Sequence, residues 1–408
     1  MSRKQEKILI CGGGLAGMAS ALGLKKNGFE VEVLAPREQP LSLESEQYHP
    51  RVYALSVASQ QFLDELGVWG LMPLERITPV QAMQVFGDAS GEITLDAWQI
   101  MRDELAWIVE SGTMEQALLQ ALQVFGVRWH DALFESFHND GTRGRGVMTA
   151  CGQFLPADLV IGADGARSKV RTAAHIKHDF YAYGDSGIVT HLDAQLPHQG
   201  IARQWFTGDS ILALLPMPET STGPQVSMVW SVKQALADEL MALAPEARAQ
   251  QLEQHLQALT DGSLGTLTVR SPLYAFPLTF ERSAMVAPGV ALVGDAAHRV
   301  HPLAGQGLNL GFGDIEELIH VLCTKPAYQG VGDLSVLSRY RRKRAEPIFA
   351  MRWVTHGLHQ FFGLPGLPAM MARNVGMRLV NRVPLLKRLL IQEAAGIAPQ
   401  FSSRTKRS

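Results

Sequence analysis

Val290-Ala-Leu-Val-Gly294-Asp295-Ala-Ala-His298-Arg-Val-His301-Pro302-Leu-Ala-Gly305-Gln306-Gly307-Leu308-Asn309-Leu-Gly311 is the stretch on which the reading of the fold turns. An apolar run ends in a Gly-Asp pair, which places Asp295 at the carboxyl end of a strand. Pro302 then precedes Gly305-Gln306-Gly307, and a helical pattern begins. A helix start carries unpaired N–H groups and the positive end of the helix dipole. Glycines there let the backbone approach a ligand that a side chain would hold away.

Near the front of the chain, Lys7-Ile-Leu-Ile-Cys11 reads as a strand, followed at once by Gly12-x-Gly14-Leu15-Ala16-Gly17. A helix over 18–26, a stop at Asn27-Gly28 and a second strand, Glu30-Val-Glu-Val-Leu34, complete a βαβ unit. In that context the glycines predict a dinucleotide site. Gly12 makes the tight turn, Gly14 admits a pyrophosphate and Gly17 lets helix and strand pack closely. The acidic residue that normally ends the second strand is replaced by Ala35, followed by Pro36, Arg37 and Glu38. This departure bears on the adenosine half of the ligand and leaves the phosphate site intact; Arg37 is a candidate for the adenosine side. Two nucleotide signals nearly 300 residues apart suggest one long cofactor held at both ends, and the distal residues suit the sugar-alcohol chain and ring of a flavin.

Between these signals, Ala157-Asp-Leu-Val-Ile-Gly-Ala-Asp164-Gly165 delivers a second carboxylate to a strand end. Asp164 either faces the ligand crevice or caps the next helix, and the two readings are compatible. Arg51, opening Arg51-Val-Tyr-Ala-Leu-Ser56, is a candidate cofactor contact, with a surface arginine as the alternative. Segments 127–137 and 145–150 read as antiparallel strands, and Gly141-Thr-Arg-Gly144-Arg-Gly146 as a hairpin turn rather than a nucleotide loop. From about Phe180 the texture is that of an antiparallel sheet, with strands over 188–192, 200–206, 211–215 and 226–232 and helices over 235–259. Trp205, Leu214 and Trp230 are candidates for a substrate pocket on that sheet, with ordinary core as the competing reading of the tryptophans. The expected division is a flavin domain from 1–75, 104–179 and 285–334, substrate-domain strands from 76–103 and 180–284, and a carboxyl-terminal helical region over 335–408.

Apolar residues make up 46% of the 408 residues and charged residues 19%, the balance of an ordinary folded protein. Cys11, Cys151 and Cys323 are scattered without metal-ligand spacing, so no metal is expected and a reduced, cytoplasmic setting fits. Cys11 is expected simply to pack. The apolar run after the charged start is short and turns into glycines, so it does not read as a secretory signal. No uncharged apolar run reaches the roughly 18 residues of a membrane span. The net charge of −2 conceals an asymmetry: from Ser335 onward there are fourteen Lys/Arg and two Asp/Glu. Segment 370–390 mixes apolar residues with Arg373, Arg378, Arg382, Lys387 and Arg388. A basic amphipathic segment suits the anionic inner face of the cytoplasmic membrane, and a solvated or packed helix is the alternative. No nucleic-acid partner is expected.

With Gly12-x-Gly14-x-x-Gly17, Ala163-Asp164-Gly165 and Gly294-Asp295 in hand, the chain resembles the single-component flavin aromatic hydroxylases. More narrowly, His301-Pro-Leu-Ala-Gly-Gln-Gly-Leu-Asn-Leu-Gly311 looks like the signature of the FAD-dependent hydroxylases of ubiquinone biosynthesis, and the likeness spans almost the whole chain. One further departure is Arg344-Ala345-Glu346-Pro347, where relatives usually carry an Asp-Asn pair; an effect on helix packing is expected. The resemblance implies an α/β fold: a Rossmann-type FAD-binding domain with an inserted antiparallel β-sheet substrate domain and C-terminal helices. It implies FAD reduced by NAD(P)H or another electron donor, O2 as co-substrate, and a flavin C4a-hydroperoxide that hydroxylates a polyprenylated phenol or quinol. Gly12, Gly14, Leu15, Ala16, Gly17, Arg37, Arg51, Asp164, Gly294, Asp295, Gly305, Gln306, Gly307, Leu308 and Asn309 would hold the cofactor. Pro302 would lie near the reactive carbon through its backbone, with no dedicated acid or base; His298 and His301 are expected to form structural hydrogen bonds. A ubiquinone-biosynthetic complex is a further expected partner. Two alternatives stay open: a hydroxylase of a small soluble aromatic, and a non-catalytic accessory protein of that complex.

Overall fold

The computed structural model describes residues 6–37, 46–87, 91–139, 144–208, 210–299 and 306–363, with backbone alone at 306 and 350–363. The βαβ unit forms as its sequence requires. Strand Lys7–Cys11, helix α1 (Leu15–Lys26) and strand Glu30–Leu34 run in parallel register, Ile10 opposite Val33. Every residue from Ile8 to Cys11 is buried, as expected for a strand covered on both faces. Its neighbour on the other side is Leu159–Gly162, which pairs in turn with Val290–Leu292. The parallel core therefore brings the carboxyl ends of the strands that precede Gly12, Asp164 and Gly294 to one edge, where open α/β sheets bind ligands.

The other helices are α2 (Val57–Glu65), α3 (Ser111–Val124), α4 (Lys169–Ala173), α5 (Gln234–Ala242), α6 (Pro245–Thr260), α7 (Gln306–Cys323) and α8 (Leu334–Gly363). α1 packs on α3 and α7, and α7 packs on α8. Gly23 belongs to that packing, because a Cβ there would lie 2.5 Å from Ile319. Pro347 sits inside α8, where it cannot donate to the carbonyl four residues back.

A nine-stranded sheet forms the second layer, built around the 17-residue strand His178–Ala194. That strand pairs antiparallel with Gly223–Lys233 on one side and Tyr274–Ser283 on the other. Strands Ala82–Phe86 and Glu92–Asp96 extend the same sheet, the first in parallel with Ile201–Phe206. A three-stranded antiparallel sheet, with Ala106–Glu110 between Val52–Ser56 and Ile77–Val80, lies between the layers. Its Val52, Ala54, Val80 and Ile108 pack with Ala202, Leu215 and Met217 of the large sheet.

One strand departs from the sequence reading. Arg128–His130 runs parallel to Glu30–Leu34 as the edge of the nucleotide sheet, whereas Phe134–Asn139 and Arg145–Thr149 form the expected antiparallel pair. The two parts of 127–137 are separated at Ala132, whose N–H bonds the His130 carbonyl. The alternation of the segment is interrupted there, at His130-Asp131 and Ala132-Leu133-Phe134, which is the local sign of the break. No helix among the described residues is long and apolar enough to cross a membrane.

The buried Tyr340 hydroxyl donates to the Leu292 carbonyl at 2.8 Å and ties α8 to the central strand before Gly294. Tyr340→Phe leaves that buried carbonyl unpaired. Denaturant titration should show a loss of about 1–2 kcal/mol, with the spectrum of the folded state unchanged.

Candidate cofactor site

At the front turn, Gly12 adopts φ +131°, and a Cβ on it would lie 2.1 Å from the Ala163 carbonyl oxygen. A Cβ on Gly17 would lie 2.0 Å from the Gly12 carbonyl. Both positions are therefore closed to any side chain, and the turn is packed against the loop after Leu159–Gly162. Gly14 is the contrast: it is exposed, and nothing lies within 4 Å of its Cβ position. It is the N-cap of α1 and offers no capping side chain, so the first N–H groups of α1 face open space beside it. Leu15 is buried and Ala16 half-buried beneath. Packed glycines with an open one between them are what a pyrophosphate requires.

Beyond Leu34, the place of the missing acid is occupied by packing. The Trp129 indole donates to the Ala35 carbonyl at 2.8 Å, and its ring lies against Gly13. Arg37 is exposed, and its backbone N–H is held by Asp131 at 3.0 Å. Glu38 lies outside the described residues.

The distal turn meets the front one. Gly294 takes φ +58°, and a Cβ there would stand 3.2 Å from the Ala16 methyl. Gly311 of α7 approaches the Gly294 Cα to within 3.3 Å of its own Cβ position. Between them Asp295 keeps 56% of its side chain exposed, with Arg299 3.9 Å away. Arg51 is exposed near it and is hydrogen-bonded to Tyr53. The neighbouring Tyr53, and further off Asp295 and Glu115, hold the Arg51 pKa above its ordinary value against the opposing effect of burial. The fold thus brings Arg51 into the electrostatic range of Asp295 across 244 residues of sequence. Burial raises the Tyr53 hydroxyl pKa, so this pair remains a cation beside a neutral phenol.

Asp164 follows the capping reading. One oxygen accepts from Ser168 Oγ and the other from the Val170 N–H at 3.1 Å, at the start of α4. Buried Arg171 then bonds the Ala166 carbonyl at 2.7 Å and the Ala296 carbonyl at 3.0 Å, which rivets the Asp164 turn to the Asp295 turn. α7 opens at Gln306, so the N–H groups of Gly307, Leu308 and Asn309 belong to its first, unpaired turn. Nothing lies within 4 Å of a Cβ at Gly307. The Asn309 side chain points its polar atoms into the protein instead, accepting from the Ser56 N–H at 3.0 Å and donating to the Ala54 carbonyl at 2.9 Å. It clips strand Val52–Ser56, and so Arg51, to the start of α7. Pro302, Gly305 and His301 lie outside the described residues.

One group escaped the sequence reading. Asp314, inside α7, has a carboxylate with no exposed surface. It accepts from His298 Nε2 at 2.7 Å, Arg344 Nε at 2.7 Å and the Gly294 N–H at 3.1 Å. His298 is thus structural, as expected, and Arg344 accounts for part of the unusual α8 sequence. The partners lie 16, 30 and 20 residues from Asp314 in sequence, so no local spacing could reveal them; the sole hint was an acid on the apolar side of a helix.

Trp205, Leu214 and Trp230 are not together at an open pocket. They lie in the core between the large sheet and helices α5 and α6, with Leu240, Leu252 and Leu256. Trp205 stacks on Phe86 at 5.2 Å, and Trp230 meets His255 at 5.5 Å. Strand alternation puts their neighbours on the other face. Gln204 is opposite Ala213, Ala213 opposite Val229, and Val229 opposite Val189; Gly187 leaves space filled by the Phe276 ring. This face packs toward the three-stranded sheet that carries Arg51 at its edge.

The residues present fit FAD: an open helix start between closed glycines, an exposed carboxylate on the adjoining turn, and a second open helix start at α7. Among the described residues no His, Cys, Asp or Glu group could hold a metal ion. Cys11 is buried, and burial raises its thiol pKa well above the ordinary range, which leaves it a packing residue.

Burial alone would push the Asp314 pKa up, but His298 and Arg344 outweigh it and hold it below 3.8. A lowered carboxylate contributes stability that is complete above pH about 4 and drains away as pH falls through the folded-state value. Asp314→Asn strands the buried Arg344 charge and should cost about 3–5 kcal/mol at pH 7. In denaturant titrations the gap between the two proteins should narrow from pH 5 to pH 3; a constant gap would contradict an ionised Asp314.

Comparison with known proteins identifies the family. The family described as FAD binding domain matches residues 5–354. The 3-demethoxyubiquinol 3-hydroxylase of Escherichia coli is 32% identical, over 97% of this chain and 100% of its own length. The ubiquinone hydroxylase UbiL of Rhodospirillum rubrum is 31% identical, over 96% and 90%. Among solved structures, p-nitrophenol 4-monooxygenase PnpA from Pseudomonas putida superposes with a TM-score of 0.73, covering 96% of this chain and 98% of its own at 18% identity. That likeness is one of fold.

Proposed function

The chain belongs to the FAD-dependent hydroxylases of ubiquinone biosynthesis, and from that premise we propose that it hydroxylates the aromatic ring of a polyprenylated phenol or quinol intermediate. The observation that carries the reading is the contact of the two turns, Gly294 against Ala16, with exposed Asp295 beside the open start of α1. FAD, when bound and reduced, supplies the activation of O2 and the hydroxyl delivered to the ring. The protein's part is to bind and to orient. Gly14 and the first amides of α1 would take the pyrophosphate, Asp295 the ribityl hydroxyls, and the amides of Gly307 and Leu308 the pyrimidine edge. A helix start at that edge would stabilise negative charge on the bound group. Arg51 adds a fixed cation within range of Asp295. The substrate ring would lie on the sheet face of Ala213 and Val229, where apolar burial excludes water. The electron donor is NAD(P)H or another reductant.

Asp295→Ala should retain less than about a tenth of the bound flavin measured by visible absorbance, while the far-ultraviolet circular dichroism stays unchanged. With the intact protein, O2-dependent hydroxylation should be at least tenfold more efficient on a prenylated phenol than on its unprenylated parent. Equal efficiencies would favour a small soluble aromatic instead. A strain lacking the protein should accumulate the quinone intermediate of the missing step.

The working place in this proposal is the inner face of the cytoplasmic membrane, with contact through the basic segment 370–390, which lies outside the described residues. The support is its sequence: five Lys/Arg interleaved with apolar residues. Reversing Arg373, Arg378, Arg382, Lys387 and Arg388 to Glu should weaken co-flotation of the full chain with acidic liposomes at least about tenfold. Membership of a ubiquinone-biosynthetic complex belongs to the same proposal, and co-purification of the chain with other enzymes of that route would support it.

A further inference from the structure

A cavity of about 330 Å³ lies between strand Tyr274–Ser283 and helix α8, with Ala297 and His298, which directly follow the distal turn, in its lining. That volume is at the lower end of small-molecule pockets, roughly 300–1,000 Å³. Its floor is apolar and buried: Met285, Ala297 and Ile348. Its rim is exposed: Arg282 from the strand, and Arg341, Arg342 and Phe349 from α8. Arg341, Ala345 and Ile348 follow at helical spacing, and Phe349 stands seven residues after Arg342, so one face of α8 supplies the wall.

None of the three arginines has an ion-pair partner among the described residues. Glu281, the acid in the lining, is already engaged by His178 at 2.9 Å, Arg299 at 3.4 Å and Arg171 at 3.7 Å. His298, also in the lining, is bonded to Asp314. Asp179 stands opposite Arg282 in the strand register and Glu346 one helical turn after Arg342, but neither closes an ion pair; the guanidiniums, Arg341 above all, leave positive charge around the opening that an anion would offset. Guanidinium matches phosphate oxygens in paired hydrogen bonds. The apolar floor and the 55% exposed Phe349 ring gain by covering with hydrocarbon. The chain's own carboxyl-terminal stretch is a poor occupant, because it is strongly basic.

We infer that this cavity binds an anionic amphiphile, namely an acidic phospholipid, with its phosphate on Arg282, Arg341 and Arg342 and its first acyl carbons on Met285, Ile348 and Phe349. The site would seat α8 on an acidic bilayer next to strand His298–Arg299, which leads toward the cofactor loop. It stands apart from the choice of aromatic substrate: its test reads lipid binding, whereas the substrate proposal is read in hydroxylated product.

Calorimetry on the full-length, FAD-loaded protein with dihexanoyl phosphatidylglycerol below its micelle concentration tests it, with dihexanoyl phosphatidylcholine and glycerol 1-phosphate as comparators. The anionic lipid should bind at least tenfold more tightly than either. Arg341→Gln with Arg342→Gln should weaken it about thirty-fold, since each arginine at an acidic lipid surface is worth roughly five-fold. Phe349→Ser should weaken the lipid and leave glycerol phosphate unchanged. Flavin content and melting temperature, which these surface changes should not alter, verify folding. Absence of binding, equal binding of the two lipids, glycerol phosphate binding as tightly as the lipid, or an unaffected double variant would each overturn the inference.

Discussion

A carboxylate without exposed surface must have its charge answered inside the protein, and Asp314 is answered from three directions. His298 comes from the strand after the distal turn, Arg344 from α8, and the Gly294 N–H from the distal turn itself. One buried anion thereby sets the relative positions of α7, α8 and the turn that presents Asp295. Gly311 makes this possible, since α7 approaches Gly294 too closely for a side chain. Arg171 extends the arrangement to the Asp164 turn, and Asn309 extends it to the strand that begins beside Arg51. The candidate cofactor site is thus a ring of backbone turns tied by side chains whose polar atoms are engaged within the protein.

The same logic separates holding from binding among the candidate residues. Gly12 and Gly17 are closed by packing, and Asp164 and Asn309 have their polar atoms engaged within the protein. Gly14, Gly307 and Asp295 are the open members. The three glycines of the front fingerprint therefore serve different purposes, and only one of them offers space. The large sheet shows a similar division. Its tryptophans stabilise the layer beneath α5 and α6, while smaller residues such as Ala213 face the flavin domain.

Much of the architecture was legible because it is written locally. The strand–glycine–helix–strand order of residues 7–34 leaves few alternatives, and the short apolar and β-branched runs after Phe180 read as strands. Where 127–137 was read as part of an antiparallel set, the error came from local likeness: a three-residue edge strand has too little pattern to declare its direction. Trp205 and Trp230 failed as pocket residues for a related reason. Alternation says that two faces exist, and it does not say which one meets the helices.

The sequence by itself determined the cofactor class and the elements that present it, because glycine spacing, strand ends and helix starts act within a few residues. The tertiary structure alone decided which polar groups are spent and which are free. Asp314, His298 and Arg344 meet across as many as 46 residues, and Arg282 joins Arg341 around a shared cavity. Charge compensation and burial depend on distance in space, a quantity that chain order does not contain.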